Sequence, residues 1–210
     1  MRIARIESKA RTLTGAQSEG AADASVDLIH HSVYQAAAHS MAAVGMLAPF
    51  VETLFFRSFY SIGLRLFPAT VEGSKHARWE LTRSLHWDCH YVFRDKRRQK
   101  NLVEGILQLA DATGLAPKLP ERFEPMLRLL FRYRNEMFHH GFEWPRDVRE
   151  RFGKEQWPIA WIEKAMTGEE PWIFYLSDDF IKECLTIIDE VLNALATFIR
   201  DDLLARRELK

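Results

Sequence analysis

Residues 126–141 read MLRLLFRYRNEMFHHG, and this stretch decides the fold class. Met126, Leu127, Leu130, Phe131 and Met137 fall at helical spacing, and Gly141 ends the pattern as a residue that can turn left-handed past a helix end. A helix beginning near Pro120 or Glu121 is predicted. Toward the carboxyl terminus, Ser177-Asp178-Asp179 opens a last helix: a side-chain oxygen can cap it, and the carboxylates suit the positive end of its dipole. Its apolar residues Phe180, Leu185, Ile188, Leu192, Leu195 and Ile199 continue at steps of three to five, and the charged tail 200–210 is expected to fray.

Toward the amino terminus, breakers punctuate two more helical stretches. One runs from Lys75 or Trp79 to Thr113 and is closed by Gly114 and Pro117. The other covers 24–67, with Ser25 as N-cap, Pro49 as an interior break that makes it two pieces, and Pro68 as the stop. Between the third and last helices, 141–171 is broken by Pro and Gly. Four of the six tryptophans fall between Trp144 and Trp172, which predicts an ordered, aromatic-anchored irregular loop with a short helix at 159–166. The run 172–176 is the only strand-like segment. The expected fold is therefore all-α: a bundle of four main helices in one domain over 25–210, preceded by a flexible arm at 1–24.

The 210 residues carry 29 Lys+Arg against 29 Asp+Glu, so any polyanion contact must be local rather than a property of the whole surface. Cys89 and Cys184 have no CxxC spacing, which excludes a disulfide framework or a four-Cys zinc site and fits a reducing compartment. The amino terminus lacks the apolar centre of a signal peptide, so a cytoplasmic location is expected. Residues 28–51 lack Asp, Glu, Lys and Arg, yet His30, His31, Gln35, His39, two serines and Pro49 favour a core helix over a membrane span.

The chemistry concentrates at Arg132-Tyr133-Arg134-Asn135-Glu136-Met137-Phe138-His139-His140-Gly141. At helical spacing Asn135 shares a face with His139, and Glu136 with both His140 and Arg132. Arg134 shares its stripe with Leu127, Leu130, Phe131 and Phe138, where a charge must pair, snorkel or line a cleft. An Arg, a polar residue and a His meet the needs of metal-free RNA cleavage. The guanidinium holds phosphate and stabilises the pentacoordinate transition state, while an imidazole titrating near neutrality moves the proton. Five positions separate Arg134 from His139, so either a loosened helix end or a second subunit must bring the parts together.

Arg134-Asn135, three residues, then His139 resembles the Arg, polar residue, then His signature of the HEPN superfamily (higher eukaryotes and prokaryotes nucleotide-binding), as does its place near the end of the third bundle helix. The resemblance covers the second to fourth helices and leaves the Trp-rich segment unmatched. It implies a metal-independent endoribonuclease acting as a homodimer, a toxin or anti-phage defence component with a cognate antitoxin, or a catalytically silent module that binds RNA or protein. It also implies that Arg134 contacts the scissile phosphate, that Asn135 orients the histidine and that His139 serves as general acid or base. His140 also fits the family spacing, but Glu136 is its ready ion-pair partner.

Other clusters compete. His86-Trp87-Asp88-Cys89-His90, with His30, His31 or His39, could hold zinc, although the Glu of HExxH is missing. Arg132 and the cluster Asp95-Lys96-Arg97-Arg98-Gln99-Lys100 are candidate RNA contacts, as is Phe55-Phe56-Arg57-Ser58-Phe59-Tyr60; a solvated face and a core stripe are their simpler readings. No Gly-rich phosphate loop or nucleophile elbow is present, so neither a nucleotide-driven motor nor a serine hydrolase is supported. No cofactor and no metal are expected.

Overall fold

Five helices and two β-hairpins make up the computed structural model, which describes residues 19–66, 76–79, 86–95 and 97–208. The first eighteen residues of the expected arm, the Pro68 stop and Lys96 lie outside the described residues, as does the side chain of Ser25. Helix α1 spans Glu19–Leu66 and starts ahead of the expected Ala24. It is one helix, not two pieces. Proline costs a helix the N–H bond to the residue four back and presses its ring on that residue's carbonyl. Here that residue is Gly45, with open space where a side chain would stand, so the backbone can yield without breaking.

Segment 26–64 is long and apolar enough to cross a membrane, with a mean hydropathy of 1.3. Its buried positions nevertheless recur on one side: Val33, Ala37, Ser40, Val44, Ala48, Val51, Phe55, Phe59 and Ile62. That is the stripe of a helix half-turned to a core.

The chain divides into two compact units, one of residues up to Val44 with Asn135–Ile181, the other of Gly45–Arg134 with Lys182–Lys210. In the second, the helix expected from Lys75 or Trp79 is replaced by three elements. A 3-10 turn at Ala77–Trp79 comes first, then a hairpin of β1 (Tyr91–Arg94) and β2 (Arg97–Lys100), and only then α2 (Leu102–Thr113). Tyr91, Val92 and Phe93 suit a pleated surface. Asp95, at φ 50, supplies the left-handed residue a tight hairpin turn needs. Asn101 caps α2 by accepting from Glu104 N–H at 3.1 Å, and Gly114 at φ 78 closes it. The Gln108 amide serves β1 as a substitute strand, accepting from Phe93 N–H at 2.9 Å and donating to Phe93 O at 2.7 Å.

Arg78 organises the turn before β1 and is fully buried. Its guanidinium donates to the carbonyls of His86 (2.7 Å), Asp88 (2.5 Å) and Tyr91 (2.5 Å), and lies 4.6 Å from the centre of the Phe93 ring. Burial pushes it down to about 10, still charged near neutrality. Gly105 lets α2 touch this turn: a Cβ there would collide with Cys89 O and stand 2.7 Å from Tyr91 O. Phe55 packs with Phe59 and with Phe123, far away in sequence, in an aromatic core with ring centres 5.1–5.8 Å apart.

In the other unit the expected irregular Trp-rich loop is largely regular. Helix α4 covers Arg146–Lys154; a 3-10 turn at Ile159–Trp161 leads into β3 (Ile162–Thr167), which pairs antiparallel with β4 (Glu170–Leu176). The strand-like run 172–176 lies in β4, but the helix expected at 159–166 is a turn and a strand. Tertiary pairing decides so short a segment, because β3 is largely exposed and carries little pattern of its own. Ile173 and Tyr175 pack on Val33 and Ala37. Trp144, Phe152 and Phe174 form a second cluster, with ring centres 4.9–5.8 Å apart. Each such buried side chain contributes about 1.5–3 kcal/mol. Buried Ser40 ties the end of β4 to α1 by accepting from Leu176 N–H at 2.9 Å.

Helix α3 (Phe123–His140) carries the sequence motif, and α5 (Asp178–Glu208) closes the chain. Ser177 caps α5 as expected, accepting from Phe180 N–H at 3.0 Å. Helix α5 runs to Glu208, through the charged tail expected to fray. The fold is thus mostly helical with two small hairpins rather than all-α.

Candidate functional site at the end of helix α3

The last turns of α3 divide by burial. Tyr133, Glu136 and Met137 are buried; Arg134 is half-buried; Asn135, Phe138, His139 and His140 are exposed. The inward side therefore rotates away from the stripe expected to hold Arg134, and Phe138, assigned to that stripe, stands 59% exposed. The reason lies in the core: once Leu127, Leu130 and Phe131 are buried, the stripe continues through Tyr133 and Met137, and Arg134 emerges on its flank.

The helix stays regular to its end. Gly141 takes φ 72 and donates to Met137 O at 2.9 Å, a left-handed exit that leaves the preceding turn intact. At 3.6 residues per turn, Arg134 and His139 therefore point about 140° apart on α3. No loosening of the helix end brings them together.

The two histidines differ in their neighbours. His140 Nε2 lies 3.4 Å from Glu136 Oε2, the pair predicted by their spacing. His139 is exposed, with its ring centre 6.3 Å from that of His140. Asn135 shares its face, yet among the described residues no hydrogen bond joins the two.

The segment after the motif is anchored by residues not singled out in the sequence for a role there. Trp144 Nε1 donates to Gly141 O at 3.0 Å, holding the carbonyl next to the helix end. Tyr34 donates to Glu143, which raises the Tyr34 pKa, and its ring meets those of Phe142 and Trp172 edge-on. His30 lies 5.3 Å from the centre of the Trp172 ring. The clustering of tryptophans after Gly141 was the one sequence signal of this anchoring.

The remaining candidates take simpler places. Arg132 is half-buried on α3. Arg97 and Arg98 are exposed on β2, with Arg98 4.4 Å from the centre of the Tyr91 ring. Phe55 and Phe59 are core residues, while Arg57 and Tyr60 are exposed. Among the described residues no three His, Cys, Asp or Glu side chains converge to hold a metal. His86 is buried, and His90 is held between Glu52 (2.9 Å) and Asp88 (2.6 Å). Cys89 and Cys184 are free and buried, and burial pushes both thiols up to about 12. No family model, no curated protein and no solved structure matches the chain.

Proposed function

We propose that the chain is a metal-independent endoribonuclease of the HEPN type that acts as a homodimer, with Arg134 and His139 as catalytic residues. The observation that carries this reading is the arrangement on the last turns of α3. His139 and Asn135 stand exposed on one face, Arg134 is half-buried just before them, and the chain runs on to a long last helix. In the reaction the ribose 2′-oxygen bonds to phosphorus as the bond to the leaving 5′-oxygen breaks. His139 takes or gives the proton, and Arg134 neutralises the charge that gathers on the phosphoryl oxygens. His139 is favoured over His140, because Glu136 engages the latter.

The divergence of Arg134 and His139 supports a second copy as the source of the complementary group. Exposed Phe138 beside His139 offers that copy an apolar contact. Exposed Arg97 and Arg98 are candidate strand contacts. A cytoplasmic toxin or anti-phage defence component with a cognate antitoxin fits this reading. A catalytically silent RNA- or protein-binding module is the second reading, favoured by the missing Asn135–His139 hydrogen bond.

The deciding experiment incubates tRNA and single-stranded RNA in EDTA with wild type and His139→Ala at matched folding. Cleavage by wild type alone, leaving 2′,3′-cyclic phosphate ends, is expected. Absence of cleavage across all RNA classes refutes the enzyme and leaves the binding module; equal cleavage by both proteins refutes the assignment of His139.

A further inference from the structure

The β1–β2 hairpin carries positive charge that its surroundings do not balance. All four residues of β2, Arg97-Arg98-Gln99-Lys100, are exposed. Arg94 on β1 stands directly opposite Arg97, so two arginines share one side of the sheet. Arg94 is matched by Glu104 at 2.7 Å. Arg97 and Lys100 form no ion pair among the described residues, and Arg98 lies over the Tyr91 ring, 4.4 Å from its centre, instead of against a carboxylate. Asp95 is the one carboxylate within the hairpin, set against these three cations.

Charge on an edge strand guards against unwanted pairing. That role does not call for placing one arginine across from another, because like charges directly opposite destabilise a sheet. An anion lying along β2 removes the cost. The strand edge adds donors of its own: β2 pairs with β1 alone, so among the described residues its outer backbone N–H groups face no other strand. Val92 and Phe93 are buried, which keeps β1 from entering a duplex groove together with β2. What remains is a single extended line of cations, about 10 Å from Arg97 to Lys100 at three strand steps. No apolar side chain stands in β2 to anchor it in a lipid surface.

We propose that β2 binds the sugar-phosphate backbone of a single-stranded nucleic acid, with Arg97, Arg98 and Lys100 each on one phosphate. Guanidinium forks suit phosphate oxygens, and the Tyr91 ring holds that of Arg98 in place beforehand. The use of this surface to hold a strand for cleavage rests on the nuclease reading. The binding itself does not, because a backbone contact ignores the 2′-hydroxyl that cleavage requires.

Fluorescence anisotropy of the full chain with labelled oligothymidylate, which has no 2′-hydroxyl to cleave, tests the surface by itself; oligouridylate with His139→Ala gives the RNA counterpart. Both are expected to bind with similar affinity, at about 10⁻⁴–10⁻⁶ M, and with a log–log salt slope of about −2, three contacts at about 0.7 each. Arg97→Ala with Arg98→Ala should weaken binding at least tenfold and leave a slope of about −0.7. Arg97→Lys with Arg98→Lys should keep the slope, and Lys100→Glu should weaken binding by a single exposed change, with unfolding curves confirming that each variant folds. Arg146→Ala with Arg151→Ala removes the same charge where carboxylates already balance it and should change nothing. No binding of oligothymidylate, unchanged affinity in the β2 variants, equal loss from the α4 pair, or capture by phosphatidylserine vesicles in place of the oligonucleotide would each overturn the proposal. Cleavage of RNA without oligothymidylate binding refutes this surface and keeps the nuclease; oligothymidylate binding without cleavage of RNA does the reverse.

Discussion

Replacing Arg78 by alanine tests the structural logic of the unit built on β1 and α2. The guanidinium supplies charged hydrogen bonds to three backbone carbonyls in the turn before β1. Each carbonyl left without a donor costs about 1–3 kcal/mol, so the gross loss is about 3–9 kcal/mol before relaxation. Water entering the vacated space recovers part of it. We expect a net loss of about 4 kcal/mol, within the range of about 3–5 kcal/mol for removing one partner of a buried charged network. For a chain of this length that lowers Tm by about 8–16 °C.

Urea unfolding gives the free energy, and hydrogen exchange resolved along the chain gives its location. Protection should fall most in β1 and at the start of α2. Arg78→Lys should recover only part of the stability, because one ammonium cannot span three carbonyls in the fork geometry of a guanidinium. A loss below about 1 kcal/mol, the value of a single ordinary hydrogen bond, would refute the reasoning.

Gly105→Ala should destabilise by about 3 kcal/mol, the upper end of overpacking penalties, because its Cβ meets backbone oxygens that cannot rotate away; a neutral effect in urea unfolding would show that α2 and the turn are less closely apposed. His90 predicts a pH dependence: burial lowers its pKa, but hydrogen bonds to Asp88 and Glu52 outweigh that and raise it above 6.5. A raised folded-state pKa gives stability fully present below the unfolded value and lost as pH rises through the folded one. The stability difference between wild type and His90→Gln should therefore shrink from pH 6 toward alkaline pH, and a difference that grows over that range would contradict the assignment.

Local rules were enough for much of the helical framework. The Gly114 and Gly141 exits, the Ser177 cap and the apolar periodicity of α3 and α5 are visible in the sequence because each depends on residues within one or two turns. The same holds for the motif: Glu136 reaches His140 because residues four apart on a helix stand side by side. The boundary drawn at Pro49 failed: α1 continues through it, with Ala48 and Val51 beside it buried.

The hairpins needed tertiary structure. The four residues of β2 are all exposed, and they are held by β1, which in turn depends on Gln108 from α2 and on Arg78. Arg78 carries no sequence signal, since an arginine that serves backbone carbonyls is indistinguishable in sequence from one in solvent. The rotation that exposes Phe138 and sets Arg134 half-buried was likewise decided by which side of α3 the core claims. The sequence by itself determined the helices and the spacing of the motif, because those follow from bonds between near neighbours. Only the tertiary structure decided which motif side chains face solvent and where short strands pair, because those depend on groups distant in the chain.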